Sequence, residues 1–264
     1  MDASQTKTSS LFTALFAKVK KKKTSHRFPE LDALRGCAII LMVFLHILWD
    51  LDYFGIMPLN HDLYQIQFIC PFLFLLLVGI CLSVSYGKAH EGYTIHSRLL
   101  LRGFKIFLLG VALSVITFIV FPDRPIIFGV LHCIGCSIML SVVFLRLKTY
   151  AVLPAIGIIA VGLFFGTIAV TNPTVAHLAI GLHQENVWST TIDYFPLFPW
   201  FGVTLLGIAV GNVLYKDNKR QFHLPDLTRY KPVNMMSWLG KHSLLIYLLH
   251  QPLIAGMVHL YLLI

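Results

Sequence analysis

Polar and apolar positions along this chain are sorted into long blocks rather than the short alternations of strands. Seven stretches are predominantly apolar, lying near 36–54, 66–86, 99–121, 126–146, 150–170, 195–215 and 242–263. Each runs for about twenty residues, the length a helix needs to cross a hydrocarbon core. Backbone N–H and C=O groups in lipid must be bonded within the protein, so these stretches are expected as helices. The pattern predicts an all-α polytopic membrane bundle of about seven transmembrane helices, with residues 28–264 as one domain.

Charge then orients the bundle. Of the 21 Lys and Arg, only Arg124 falls in a segment that seven spans place outside, provided the N-terminus is cytoplasmic. Basic residues collect in cytoplasmic loops, so this distribution favours an odd count, with the C-terminus outside and the cell membrane as the location. Hydrophobic residues make up 57% and charged ones 12%, and mean hydropathy is +0.76, which excludes an ordinary soluble domain. The net charge of +9 is therefore a topology signal, and no nucleic-acid partner is expected. Residues 1–27, with Lys20 to Lys23, read as a flexible basic tail drawn to anionic headgroups. The tail lacks the pattern of a cleaved signal and is expected to be retained. Cys133 and Cys136 share a helix face beside His132, but zinc normally takes four ligands and no second cysteine pair exists. They read as packing residues, and no metal site is expected.

The segment Glu30-Leu-Asp-Ala-Leu-Arg35 through His46 carries the most chemical information. Eleven residues of helix put His46 roughly 16 Å beyond Arg35, near the middle of a core about 30 Å thick. An ionisable group at that depth is a functional candidate by default. The plainer reading is a core histidine bonded to a neighbouring carbonyl. Asp50 lies one turn further along the same face, where it could orient the imidazole or simply mark the water interface. His61 is in the loop after the first span. His132 opens the fourth span near Gly129 and Gly135, small residues that allow close helix approach. Asp193, Tyr194 and Trp200 flank Pro196 and Pro199 at the start of the sixth span, an arrangement suited to the interfacial belt or to holding a saccharide. His250, Gln251 and Ser243 are polar residues in the last span, where Pro252 frees a carbonyl. Arg35, Arg98, Arg102, Lys105 and Lys241 could form a basic cytoplasmic mouth for a polyphosphate, or snorkel singly to headgroups.

Arg35, ten intervening residues and His46 resemble the first-helix motif of the integral-membrane acyltransferase-three superfamily. More of the chain resembles the heparan-alpha-glucosaminide N-acetyltransferase catalytic-domain family, which has many prokaryotic members. The matching pieces are Glu30-Leu-Asp-Ala-Leu-Arg-Gly through Leu41-Met-Val, Pro71-Phe-Leu-Phe-Leu through Gly79, Gly129-Val-Leu-His-Cys-Ile-Gly135, Asp193-Tyr-Phe-Pro-Leu-Phe-Pro-Trp-Phe-Gly202, and Leu239-Gly-Lys-His-Ser-Leu through Pro252. The resemblance implies transfer of an acetyl or other acyl group from cytoplasmic acyl-CoA to an acceptor outside, commonly a sugar. Acetyl-CoA would be a co-substrate, with no covalently bound cofactor. In the acyltransferase-three pattern His46 is the catalytic position. The lysosomal enzyme uses a histidine in the following loop, whose nearest match is His61, and has asparagine and glutamine where this chain has His46 and His132. Both histidines stay candidates, with His46 preferred.

The expected mechanism has His46 as general base or nucleophile, oriented by Asp50 or Asp52. His132, Gln251 or a backbone donor would stabilise the oxyanion. Arg35, Arg98, Arg102, Lys241, His132, His250 and Gln251 would hold the acyl-CoA, and Asp193, Tyr194 and Trp200 the acceptor. A homo-oligomer is compatible with the sequence. A transporter or proton-coupled carrier could use the same histidines, although no paired broken helices are visible. A bis-histidine haem would need two inward rings at one depth, such as His46 and His250. A retinal Schiff base is disfavoured because Lys241, the last helix's lysine, lies at its edge.

Overall fold

A computed structural model describes residues 28–58, 66, 68–88 and 93–262. The expected tail 1–27 and His61 lie outside the described residues. The long helices are α1 (Pro29–Tyr53), α2 (Ile69–Lys88), α3 (Tyr93–Val120), α4 (Val130–Phe144) and α5 (Val152–Phe165). Two short loop helices follow, α6 (Val175–Ile180) and α7 (Val187–Thr190), then α8 (Leu197–Leu214), α9 (Lys231–Lys241) and α10 (Ser243–Leu262).

Six helical elements are long and apolar enough to cross a membrane, and one of these is the 36-residue element Val130–Phe165. That element is not continuous. A 3₁₀ connector, Leu145–Ala151, contains Lys148 at φ 49°, and the chain turns there from α4 into α5. Close contacts fix the directions of the helices. Glycines at 103, 110 and 135 let α3 and α4 run antiparallel, with Gly103 against Gly135 and Met139, and Gly110 against His132. Gly79 of α2 meets Thr204 and Gly207 of α8, while Ile80 meets Gly211, so these two helices run parallel. The C-terminal ends of α1 and α10 meet around Leu51 and Val258, and His46 meets His250 one to two turns earlier. They too are parallel. Both parallel pairs require α4 and α5 to count as two passes, which restores the expected seven.

The observed helices track the expected spans to within a few residues except at the starts of α1 and α3, which come seven and six residues early, and at the end of α5, which comes five residues short. α1 begins seven residues before the expected position 36, at Pro29. Proline fits a first turn, where its missing N–H has no partner to lose, and Glu30 and Asp32 suit the positive helix start. These charges are buried because other elements meet them. Glu30 accepts from Arg220 Nε (2.6 Å) and Nη2 (2.9 Å) and from the Tyr215 hydroxyl (3.3 Å). Arg35 donates to Asp32 (3.1 Å) and to the Cys81 sulfur (2.7 Å).

α8 is central, packing against α2, α4 and α5 around a core that includes Leu82, Ile138, Leu145, Ala155, Leu205 and Ile208. α3 and α10 lie at the margins, with Leu101, Phe104, Val115, Leu249 and Leu253 exposed, as side chains facing lipid would be. The amphipathic α9, 11 residues long, is not among the expected spans. It crosses the first turns of α1 so closely that a Cβ on Gly36 would overlap the Met236 carbonyl, and one on Gly240 the Asp32 carbonyl.

Candidate active site

The seam between α1 and α10 gathers the intramembrane polar residues. His46 lies about 11 Å from the C-terminal end of α1, at 1.5 Å per residue. Its ring meets that of His250 edge to face, with centroids 4.6 Å apart and an interplanar angle of 86°. His46 Nδ1 is 2.8 Å from the Met42 carbonyl, and His250 Nδ1 is 2.6 Å from the Tyr247 carbonyl. A carbonyl oxygen only accepts, so each Nδ1 carries a proton, and in the neutral form of each ring the lone pair is on Nε2. The plain reading of His46 as bonded to a neighbouring carbonyl is thus correct for one nitrogen and leaves the other available. Rings in this contact leave no room for a porphyrin between them, which removes the haem reading.

Asp50 is 1% exposed, so it does not mark a water interface. Its two oxygens accept from Gln251 Nε2 at 2.8 and 3.1 Å. The Met42 carbonyl, and not Asp50, sets the His46 tautomer; Asp50 instead lies within electrostatic range of the ring and fixes the Gln251 amide. The Gln251 Oε1 and His250 Nε2 atoms are buried without a hydrogen-bond partner among the described residues.

A second cluster forms where the segment before α8 meets the start of α4. Asp193 Oδ2 accepts from the Val130 N–H at 3.0 Å, an acid at a helix N-terminus. Burial pushes the Asp193 carboxyl up to about 6. His132 Nδ1 accepts from the Gly129 N–H at 3.2 Å, so its proton is on Nε2, the opposite tautomer to His46. Its ring lies between Phe107 and Phe128. Asp193 and Cys70 both fall within electrostatic range of the Tyr247 phenol on α10, which links this cluster to the seam. The Cys133 thiol is buried against the Pro196 carbonyl, and no three His, Cys, Asp or Glu gather as metal ligands among the described residues.

The loop between α5 and α8 encloses a cavity of about 320 Å³ lined by Ile127, Asn172, Leu178, Gln184, Thr190 and Tyr194, among others. Tyr194 is anchored by its hydroxyl, which donates to the Leu178 carbonyl at 2.9 Å. Trp200 packs against Phe68 and Phe195 instead of lining the cavity, and Asp193 caps α4. Of the three expected acceptor residues, Tyr194 alone lines this cavity.

The family model described as heparan-alpha-glucosaminide N-acetyltransferase, catalytic, matches residues 27–252. The chain belongs to that family. No curated protein and no solved structure matches it. Membership and the apolar helices together make the protein a membrane acetyltransferase.

The residues expected at the cytoplasmic mouth of this acetyltransferase lie on three helices, α1, α3 and α9. Arg35 is engaged with Asp32 and Cys81, and Arg98, Arg102, Lys105 and Lys241 lie exposed on α3 and α9. Asn172, Gln184, Thr190 and Thr191 went unnoticed in the sequence because they have no periodicity; folding of the loop brings them around one cavity. In the sequence nothing distinguishes Arg220 from the other basic residues of its segment, because its partner Glu30 lies 190 residues away.

Proposed function

We propose that the protein moves an acetyl group from acetyl-CoA, bound from the cytoplasmic side, to an amine or hydroxyl of a saccharide across the cell membrane. The observation that carries this reading is the His46 ring, its Nδ1–H held by the Met42 carbonyl so that the neutral ring has its lone pair on Nε2, beside His250, Asp50 and Gln251 in the seam between α1 and α10. The acceptor attacks the thioester carbonyl carbon, the new C–N or C–O bond forms, and the C–S bond breaks. Nε2 of His46 takes the acceptor's proton. The Asp50 carboxylate offsets the positive charge that develops on the ring, and Gln251, fixed by Asp50, offers Oε1 to the incoming N–H or O–H. A positioned base of this kind contributes about 10²–10⁴-fold.

Arg98, Arg102 and Lys241 are the groups to meet the CoA phosphates, since exposed guanidinium and ammonium groups suit polyphosphate. The cavity beside Tyr194 mixes amide, hydroxyl and aromatic lining without a charged side chain, which suits a neutral or weakly charged sugar. Purified protein in proteoliposomes tests the reading, with labelled acetyl-CoA on one side and a panel of amino sugars on the other. Labelled product on the acceptor side is expected, and transfer from no acyl-CoA to any sugar would refute the assignment. Label retained without acceptor on the parent protein and lost in His46→Gln would show that the same nitrogen works through an acetyl-histidine.

A further inference from the structure

The mechanism above leaves His250 without a task, yet its placement is specific. The ring is 8% exposed, its Nδ1–H is committed to the Tyr247 carbonyl, and its Nε2 is buried with no donor among the described residues. Burying an unsatisfied lone pair is disfavoured, and an apolar side chain would fill the same space without that cost. The ring also touches His46, the proposed base, edge to face. Two imidazoles so close cannot both be charged cheaply, because each positive ring disfavours the other. The pair can therefore take up at most one additional proton between its two Nε2 lone pairs.

Acetyl transfer has two proton tasks. One proton must leave the acceptor as it attacks, and one must reach the sulfur as the CoA thiolate departs. We propose that His250 is a second catalytic residue, receiving at Nε2 the proton that His46 takes from the acceptor and delivering it to the CoA sulfur. In this sequence the acceptor N–H or O–H bond breaks and an N–H bond forms on His46. The proton then moves to His250, directly or through one water. The C–S bond breaks as the new acyl bond forms, and the S–H bond of free CoA regenerates both bare nitrogens. No oxidant or further reactant is needed. The inference rests on the acyl-CoA reading given above.

The test uses His250→Asn, whose amide can still donate to the Tyr247 carbonyl while the Nε2 lone pair is gone, with His250→Gln as a second variant if the first does not fold. Each is assayed in the full-length protein with two donors. One is acetyl-CoA, whose alkyl thiolate needs a proton. The other is S-acetyl thiophenol, whose aryl thiolate leaves without one. The expected result is at least about a 10-fold loss of turnover with acetyl-CoA, CoA affinity unchanged, and wild-type-like turnover with the aryl donor. His46→Gln should be slow with both donors. Equal slowing of the His250 variants with both donors, or no slowing with acetyl-CoA, overturns the relay while leaving the reading of His46 intact. If His46→Gln is active with both donors, the functional reading itself fails.

Discussion

Helix α1 carries two polar groups along one apolar rod, and they are finished in opposite ways. Near its start, Glu30 meets Arg220 and Tyr215, and Asp32 meets Arg35. Every buried charge there faces a charge of the other sign. Beyond its midpoint, Asp50 meets only the neutral Gln251 amide, and His46 and His250 turn their protonated nitrogens to carbonyls while their Nε2 atoms stay bare. The first group pairs its charges and fastens Tyr215 and Arg220 to the bundle, although Asp32 Oδ2 is itself buried without a hydrogen-bond partner among the described residues. The second has, among the described residues, unpartnered His250 Nε2 and Gln251 Oε1 atoms and no Lys or Arg beside its carboxylate, which is how a site waiting for substrate differs from a structural clasp.

The largest effect should come from the seam. His46→Gln combined with His250→Asn should lose about 10²–10⁴-fold in turnover, and the pair should cost little more than His46→Gln alone because residues acting as a unit are not additive. Steady-state rates for the single and double variants check this; fully multiplicative losses would separate the two rings. Asp50→Leu should lower turnover by about 10-fold or more, since the amide it holds then has a buried unpaired donor. CoA binding should survive, as measured by calorimetry. At the other group the outcome should reverse. Glu30→Gln should leave turnover within a few-fold while lowering thermal stability by about 1–3 kcal/mol, below the range for a fully buried pair because the Arg220 side chain is 29% exposed. A Glu30 variant that is stable but inactive would erase the contrast.

The smallest effect concerns pH. Asp193 is pushed up to about 6 by burial, so the folded protein holds the proton more tightly than the unfolded chain. Its contribution to stability is complete below the ordinary carboxylate value and is lost as pH rises through about 6. Asp193→Asn has no such loss, and its melting temperature relative to the parent should therefore rise between about pH 4 and pH 7. A relative decline over that interval would mean that the carboxylate is stabilised by partners in the fold.

The spans were legible because hydrocarbon demands long apolar helices, and the lone outer Arg124 already favoured an odd number of passes. The parallel contacts of α2 with α8 and α1 with α10 then required seven. The start of α1 was hidden, since Glu30 gains its partners Arg220 and Tyr215 from distant sequence, and the packing of α9 against the first turns is equally remote in the chain. α9 itself was too short and polar to register as a span. Within the seam, the depth of His46 and its spacing to Asp50 were readable, but its tautomer was not. That depends on the ring turning back to the Met42 carbonyl, a choice that residue spacing does not encode. Likewise Gln251 was a polar residue in an apolar run, and only helix packing shows that it holds Asp50.

The most direct test is single-turnover acetyl transfer from labelled acetyl-CoA by folded His46→Gln protein, with CoA affinity measured on the same sample. A bare Nε2 that accepts the acceptor's proton predicts unchanged CoA affinity and a transfer rate lower by about 10²–10⁴-fold. A transfer rate within a few-fold of the parent protein, at the same affinity, would contradict it.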